Sequence, residues 1–120
     1  MKIAITSTGQ DADSVVDPRF GRAKYFIVID TETDDIQVVE NSQNLNAPQG
    51  AGIQSAQKVA EQEVETVITG NVGPKAYRTL MAAGIKVYLT GECTVAQAVE
   101  RLHKGELAEA DGANVEGHWS

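Results

Sequence analysis

The stretch that decides the fold is residues 66–80, TVITGNVGPKAYRTL. Its first four residues are mostly β-branched, which favours a strand that ends at Gly70. Pro74 then opens a segment in which Ala76 and Leu80 recur at helical spacing. Proline suits the first helical position because the N–H that it lacks has no partner there. The stretch therefore predicts a strand, a glycine-bearing loop and a helix.

The loop between this strand and helix is a candidate anion site. Gly70 and Gly73, on either side of Asn71, let a ligand approach the backbone, and Pro74 leaves the N–H groups of the first turn facing the loop. Lys75 conflicts with the helix dipole there, and a bound anion would relieve that conflict. A steric interpretation stands beside this one, in which the glycines serve only the turn and Lys75 is solvated. The pattern matches neither a P-loop nor G-x-G-x-x-G, so it does not indicate nucleotide binding.

Composition indicates one compact domain, because the chain has 120 residues of which 42% are apolar. We expect this domain over residues 1–110 and a flexible tail over 111–120. No apolar run approaches the roughly 20 residues of a membrane span, and the start, MKIAITSTGQ, is unlike a signal peptide, so we expect a cytoplasmic protein. Ten basic and 17 acidic residues give a net charge of −7, which argues against nucleic acid or an anionic membrane as partner.

The order of elements predicts a mixed sheet. We expect strands at residues 2–6, 25–30, 36–40, 66–69 and 85–89, and helices that begin near residues 52, 74 and 95. Short loops join the first three strands into an antiparallel meander, whereas helical crossovers make the fourth and fifth strands parallel to the first. The result is an α/β fold, βββαβαβα, with a five-stranded sheet in the order 3-2-1-4-5 and helices on both faces, which is a ribonuclease H-like arrangement.

This topology gathers candidate binding residues at one edge. The carboxyl ends of the first, fourth and fifth strands meet there, so Ser7, Asn71 and Thr90 should lie close together. The long loop over residues 10–24 leads away from the same edge and contains Arg19, Phe20, Gly21 and Arg22, written as RFGR. Arginine offers planar, permanently charged donors that suit an oxo- or sulfido-anion. The alternative is that both arginines pair with nearby aspartates at the surface.

Catalytic and metal-binding patterns are sparse. The first predicted strand has no carboxylate, which argues against a two-metal nuclease. Neither a Ser-His-Asp nor a Cys-His pattern is visible, so we expect a protein that is not an enzyme. One cysteine, Cys93, cannot supply the four thiolates of an ordinary iron–sulfur site, and it is more typical of a small packing residue. Cys93, His103 and His118 remain candidates for a single metal bond.

Four motifs, taken together and in order, resemble a known family. They are VDPRFGRAKYF at 16–26, GAGI at 50–53, ITGNVGPKA at 68–76 and AGI at 83–85. This combination is similar to the small domains of the dinitrogenase iron–molybdenum cofactor biosynthesis family, which includes NifX-like and NifB C-terminal-like proteins. The resemblance extends to about residue 107.

The resemblance implies a ribonuclease H-like fold and a non-catalytic protein that binds or carries a preformed iron–sulfur or molybdenum–iron–sulfur cluster, or its precursor, with cluster-assembly proteins as possible partners. A cluster made elsewhere needs charge complementarity and at most one protein ligand. The residues that we expect to hold it are Ser7, Arg19, Phe20, Gly21, Arg22, Gly50, Gly52, Gly70, Asn71, Gly73, Pro74 and Lys75.

Three positions depart from the family pattern. Members tied to nitrogenase carry a histidine where this chain has Arg19, and many relatives carry a cysteine where it has Ala23. A guanidinium does not normally ligate iron, so the departure favours binding through charge. Glu63 replaces a frequent glycine between the first helix and the fourth strand, which we expect to affect stability.

Two other functions fit the same residues. One is an enzyme or binder that takes a small phosphorylated or otherwise anionic metabolite at the glycine-bearing loop. The other is a regulatory scaffold whose acidic surface meets a partner protein.

Overall fold

The computed structural model describes residues 1–41 and 51–114. Within these residues the chain forms six strands and three helices. The strands are β1 (Lys2–Ser7), β2 (Tyr25–Asp30), β3 (Ile36–Glu40), β4 (Thr66–Thr69), β5 (Lys86–Leu89) and β6 (Ala108–Glu109), and the helices are α1 (Ala51–Glu61), α2 (Pro74–Ala82) and α3 (Val95–His103).

The strands form one mixed sheet in the order β3-β2-β1-β4-β5-β6. β1, β2 and β3 are antiparallel neighbours, and β4 and β5 run parallel to β1, as the connections predicted. The prediction of five strands was wrong, because β6 adds an antiparallel pair to the outer side of β5. This short strand lacks β-branched residues and forms by backbone pairing with an open sheet edge, so its own sequence gives no signal. The ribonuclease H-like assignment stays a prediction.

Two apolar cores cover the two faces of the sheet. Ala4 of β1 belongs to the core that α1 and α2 cover, together with Phe20 and Phe26. Ile3 and Ile5 belong to the other core, which α3 covers. Because successive residues of a strand point to opposite faces, a central strand that is buried on both sides must be apolar throughout. Ile3, Ala4 and Ile5 in the middle of β1 meet that requirement, and helices do lie on both faces as predicted.

Local signals set the helix boundaries. The predicted capping box is present at α3, where Thr94 Oγ1 accepts from Gln97 N at 3.2 Å and Gln97 Oε1 accepts from Thr94 N at 2.9 Å. Gly84 follows α2 with φ of 75°, as expected for a glycine that ends a helix. Across residues 1–41 and 51–114, no helix has both the length and the apolar character that crossing a membrane would require.

The segment after α3 partly packs against the sheet. We name residues 108–114 the C-terminal strap. Ala110 is buried, and its N–H donates to Val87 O at 2.8 Å while its carbonyl accepts from Tyr77 Oη at 3.2 Å. The strap ends at Asn114, which bonds to the loop after β4. Residues 115–120, which include the rest of the predicted tail, lie outside the described residues.

Glu63 provides a test of this local structure. It lies between α1 and β4 with φ of 59°, a left-handed conformation that favours glycine. We expect Glu63→Gly to raise the free energy of unfolding by roughly 0.5–1 kcal/mol in urea denaturation, because the substitution removes the strain of the Cβ. Glu61→Gly, within α1, is the matched control and should lower it by about the same amount. Equal destabilisation by both substitutions would show that Glu63 is not strained.

Candidate functional site

The carboxyl ends of β1, β4 and β5 open onto one cleft of about 560 Å³, which we call the carboxyl-edge cleft. Three parts of the chain form it: the loop after β1, the loop between β4 and α2, and the turn after β5. The predicted meeting place of these strands therefore exists in the structure. Its lining residues are Val15, Val16, Pro18, Gly70, Asn71, Thr90, Gly91 and Glu92.

Buried hydrogen bonds attach the long loop after β1 to the ends of β1 and β4. Thr6 Oγ1 donates to Asp17 O at 2.7 Å and is also hydrogen-bonded to Thr69 Oγ1 at 2.9 Å. Asp17 N donates back to Thr6 O at 3.0 Å. All three residues are buried, so water does not compete for these bonds. The loop is thereby held in place immediately before Pro18 and Arg19.

The carboxylate of Asp17 fixes the backbone of Arg19. Asp17 Oδ1 accepts from Arg19 N at 3.0 Å. Burial raises the pKa of Asp17 above its usual range, and both the Arg19 N–H bond and the Arg19 charge partly offset that rise. The Arg19 residue itself is exposed. The backbone of Arg19 is therefore fixed, while its side chain is accessible to a ligand.

Asn71 joins the long loop after β1, which contains Arg19, to the loop after β4. Arg19 and Asn71 form a parallel bridge. Asn71 O accepts from Phe20 N at 3.2 Å, and Asn71 Nδ2 donates to Pro18 O at 2.9 Å. The predicted proximity of the RFGR motif and the glycine-bearing loop is therefore present in the structure.

Phe20 and Gly21 are buried inside the protein. Phe20 is fully buried, with its ring centroid 5.5 Å from that of Phe26. Gly21 is also buried, and its carbonyl accepts from Ser55 Oγ at 3.3 Å. Arg22 is half-buried. Phe20 therefore acts as an apolar anchor for the loop, and of the four residues in RFGR, Arg19 is the exposed one.

The start of α2 offers backbone donors next to Arg19. Gly73 is the N-cap residue, Pro74 follows at the first helical position, and no side chain among residues 1–41 and 51–114 caps this end. Lys75 is exposed. The first N–H groups of such a helix lack intrahelical partners and carry a partial positive charge. The loop thus combines these donors with two accessible cations, Arg19 and Lys75.

The close backbone approach at Gly70 is made by the protein itself. A Cβ at this position would lie 2.8 Å from Pro18 Cα and 3.1 Å from Pro18 O. The steric interpretation of Gly70 is therefore correct for this glycine. Ser7 is likewise engaged locally, since its Oγ donates to Gly9 O at 2.8 Å and accepts from Gly9 N. Gly52 is buried within α1, and Gly50 lies outside the described residues.

Of the candidate metal ligands, Cys93 and His103 are not brought together. Cys93 is 6% exposed within the core under α3, and its Sγ lies 3.5 Å from Thr90 Oγ1. His103 ends α3 at the opposite end of the sheet, near Glu65 and Lys86. His118 lies outside the described residues. Within residues 1–41 and 51–114, no three His, Cys, Asp or Glu side chains are grouped so that they could hold a metal ion.

Two features of the site were absent from the sequence prediction. Pro18 packs on Gly70, and Asn114 donates from Nδ2 to Asn71 Oδ1 at 3.0 Å. No sequence pattern could have signalled the contact between Pro18 and Gly70, because the two residues are 52 positions apart in the chain. Asn114 lies in a polar segment whose composition resembles that of a free tail.

Comparison with known proteins shows the family. Residues 1–105 match the family described as Dinitrogenase iron-molybdenum cofactor. The chain belongs to this family. The fold and the two motifs that meet at the carboxyl edge of the sheet therefore occur in a member of this family.

Solved structures of similar proteins have the same architecture. The apo form of the orange protein from Desulfovibrio gigas is 44% identical, with a TM-score of 0.92 over 95% of this chain and 96% of that one. A NifB-like protein from Thermotoga is 40% identical, with a TM-score of 0.85 over 97% of this chain and 98% of that one.

A relative is also found by sequence. An uncharacterized protein from Methanocaldococcus jannaschii is 31% identical over 93 residues, which are 75% of this chain and 78% of that protein.

The contact between Gly70 and Pro18 gives a testable consequence. We expect Gly70→Ala to lower the free energy of unfolding by about 1–3 kcal/mol, because the added methyl meets backbone atoms that cannot move aside freely. Gly91→Ala is the matched control, since a Cβ at Gly91 has no atom within 4 Å. Urea denaturation of both variants measures the difference. A Gly70→Ala protein as stable as Gly91→Ala would contradict the packing described here.

Proposed function

We propose that this protein is a cytoplasmic carrier that binds a preformed anionic metal–sulfur cluster, or a thiometallate precursor, at the carboxyl edge of the sheet. One observation carries the proposal. Arg19 has a backbone fixed by Asp17 and by the bridge to Asn71, and Asn71 lies in the loop that leads into the uncapped start of α2. The cluster is cargo in this account and is not made by the protein.

Charge supports an anionic cargo. Arginine stays protonated, and its donors suit sulfido or oxo groups, while the first N–H groups of α2 add hydrogen bonds of the same polarity. The chain as a whole carries a net charge of −7, so an anion has to be held by a local cationic site. Glu92 lines the carboxyl-edge cleft and repels an anion. We therefore assign the cargo to Arg19 and the start of α2, beside the part of the cleft that Pro18 and Asn71 line.

The mode of binding follows from the side chains present. Since the described residues group no set of three metal ligands, they fit a cluster that arrives with its own sulfide ligands. Cys93 is buried away from solvent, which makes direct ligation by its thiolate costly without rearrangement. We infer that electrostatic attraction and hydrogen bonds to the cluster's sulfides hold the cargo. Such binding is reversible, as a carrier requires, and involves no turnover.

The relatives support a coloured cargo and an assembly context. The Desulfovibrio gigas relative is called the orange protein and was solved as an apo form, which implies a ligand-bound form and a group that absorbs visible light. The Thermotoga relative is NifB-like. A carrier delivers cargo to other proteins, so we propose cluster-assembly proteins as partners of this chain.

A small anionic metabolite is the second candidate ligand. The volume of the carboxyl-edge cleft, about 560 Å³, lies within the range of small-molecule sites. Such a ligand would contact the same Arg19 and α2 donors. A thermal-shift comparison of inorganic phosphate, nucleotides and tetrathiomolybdate separates the two candidates, since a metabolite site predicts stronger saturable protection by a phosphate compound than by tetrathiomolybdate, and a carrier site predicts the reverse.

Loss of the Arg19 charge tests the carrier function. We expect wild-type protein that has been incubated anaerobically with tetrathiomolybdate, or with an iron–sulfur mixture, to keep a visible absorption band and stoichiometric metal after desalting. Arg19→Ala should weaken binding by roughly ten- to a hundredfold and lower retention accordingly, since a charge-assisted hydrogen bond contributes roughly 1.5–3 kcal/mol. The double variant Arg19→Ala, Arg22→Ala should remove retention.

Lys86→Ala provides the matched control, because Lys86 is an exposed cation at the opposite end of the sheet. It lowers the positive charge by the same amount without touching the site. Equal retention by Arg19→Ala and Lys86→Ala would show that Arg19 does not hold the cargo. Wild-type protein that retains neither reagent would argue against the carrier function itself.

A further inference from the structure

The C-terminal strap ends in a hydrogen-bonded contact with the loop after β4. Asn114 Oδ1 accepts from Val72 N at 2.7 Å, and Asn114 N donates to Val72 O at 3.1 Å. Asn114 Nδ2 donates to Asn71 Oδ1 at 3.0 Å and to Gly70 O at 3.4 Å. One residue of the strap thus bonds to three consecutive residues of the loop that leads into α2.

Val72 depends on this contact for both of its backbone hydrogen bonds to Asn114. Val72 is fully buried, and both of its backbone polar groups pair with Asn114. Leaving a buried N–H without a partner costs free energy. Removing the amide of Asn114 therefore destabilises this conformation of the loop. The conformation of the loop therefore depends on a residue that lies 42 positions further along the chain.

The contact continues to the arginine. Asn71 accepts from Asn114 at its side-chain oxygen and donates to Pro18 O from its side-chain nitrogen, so the two bonds fix the orientation of one amide. The same residue accepts from Phe20 N through its carbonyl. Pro18 and Phe20 are the two neighbours of Arg19. A continuous network of hydrogen bonds thus runs from Asn114 through Asn71 to both sides of Arg19.

The strap is anchored independently of this contact. β6 pairs with β5, and Ala110 bonds to Val87 and Tyr77. The strap also lies beyond residues 1–105, the part of the chain that matches the family. This anchoring brings Asn114 to the loop, so a residue outside the family-matching part contacts the site.

We propose that Asn114 is a positioning residue that holds residues 70–72 in the conformation in which Arg19 and the start of α2 converge on the same anion. The role rests on the proposed function, because it concerns how tightly an anionic metal–sulfur cargo is held. Asn114 need not touch the cargo. It acts through Asn71 and Val72, and its loss lets the cationic side chain and the helix donors move apart.

The test begins with the apo-protein. Hydrogen exchange of the Val72 amide, measured by NMR, should become roughly tenfold faster in Asn114→Ala, because the N–H loses its acceptor. Asn114→Asp keeps an oxygen at this position and should restore slow exchange. Asp111→Ala is the control within the strap, since Asp111 is exposed and should leave the exchange of Val72 unchanged.

The same Asn114→Ala and Asp111→Ala proteins are then loaded anaerobically with tetrathiomolybdate. We expect Asn114→Ala to release the bound molybdenum about tenfold faster than wild type and to shift its visible bands, whereas Asp111→Ala should match wild type in both. Rapid Val72 exchange with unchanged release and an unchanged spectrum would make Asn114 a structural residue only and overturn the proposal. Unchanged Val72 exchange would overturn it already in the apo-protein.

The two proposals fail in different ways. Wild-type protein that retains no tetrathiomolybdate would contradict the carrier function, and the positioning role would fall with it even if Val72 exchange responds as expected. Wild-type protein that retains it, with Asn114→Ala retaining it equally well, would contradict the positioning role alone.

Discussion

The site depends on the pair of buried hydroxyls at the carboxyl ends of β1 and β4. Thr6 Oγ1 is hydrogen-bonded both to Thr69 Oγ1 and to Asp17 O, so a single hydroxyl connects two parallel strands and the long loop that leaves the first of them. Unsatisfied hydroxyls at this depth would destabilise the fold, and their mutual bonding leaves one arrangement of the loop. Every later contact of the site, from Asp17 to Arg19 and from Arg19 to Asn71, starts from that arrangement.

The fold divides its polar groups between structure and binding. Asp17, Thr6 and Asn71 are used to fix the backbone, whereas Arg19 and Lys75 are exposed beside the uncapped start of α2. A rigid backbone with accessible cations suits a cargo that arrives complete, because the protein supplies charge and donors while the cargo brings its own sulfides. The buried thiol of Cys93 and the distant His103 have no place in this arrangement.

Most of the architecture could be predicted because local chemistry specifies it. The β-branched runs, Pro74 and the Thr94 capping box each act within a few residues, and the topology rules then determine the order of the first five strands. Contacts between distant residues could not be predicted in this way. β6 exists because β5 offers an open edge, and the glycine at position 70 is required by Pro18, which is near in space but far in sequence. The proximity of Arg19 to the glycine-bearing loop was predictable, but the role of Phe20 as a buried anchor was not, because exposure depends on tertiary packing.

The most direct test of the central claim is to locate the bound anion. We would titrate isotope-labelled wild-type protein anaerobically with tetrathiomolybdate and follow the backbone amide signals by NMR. We expect saturable shifts that concentrate at Arg19, Asn71 and Lys75, with the amide signals near His103 and Lys86 unchanged. Shifts centred on the His103 end of the sheet, or no saturable shift anywhere, would contradict an anion site at the carboxyl edge.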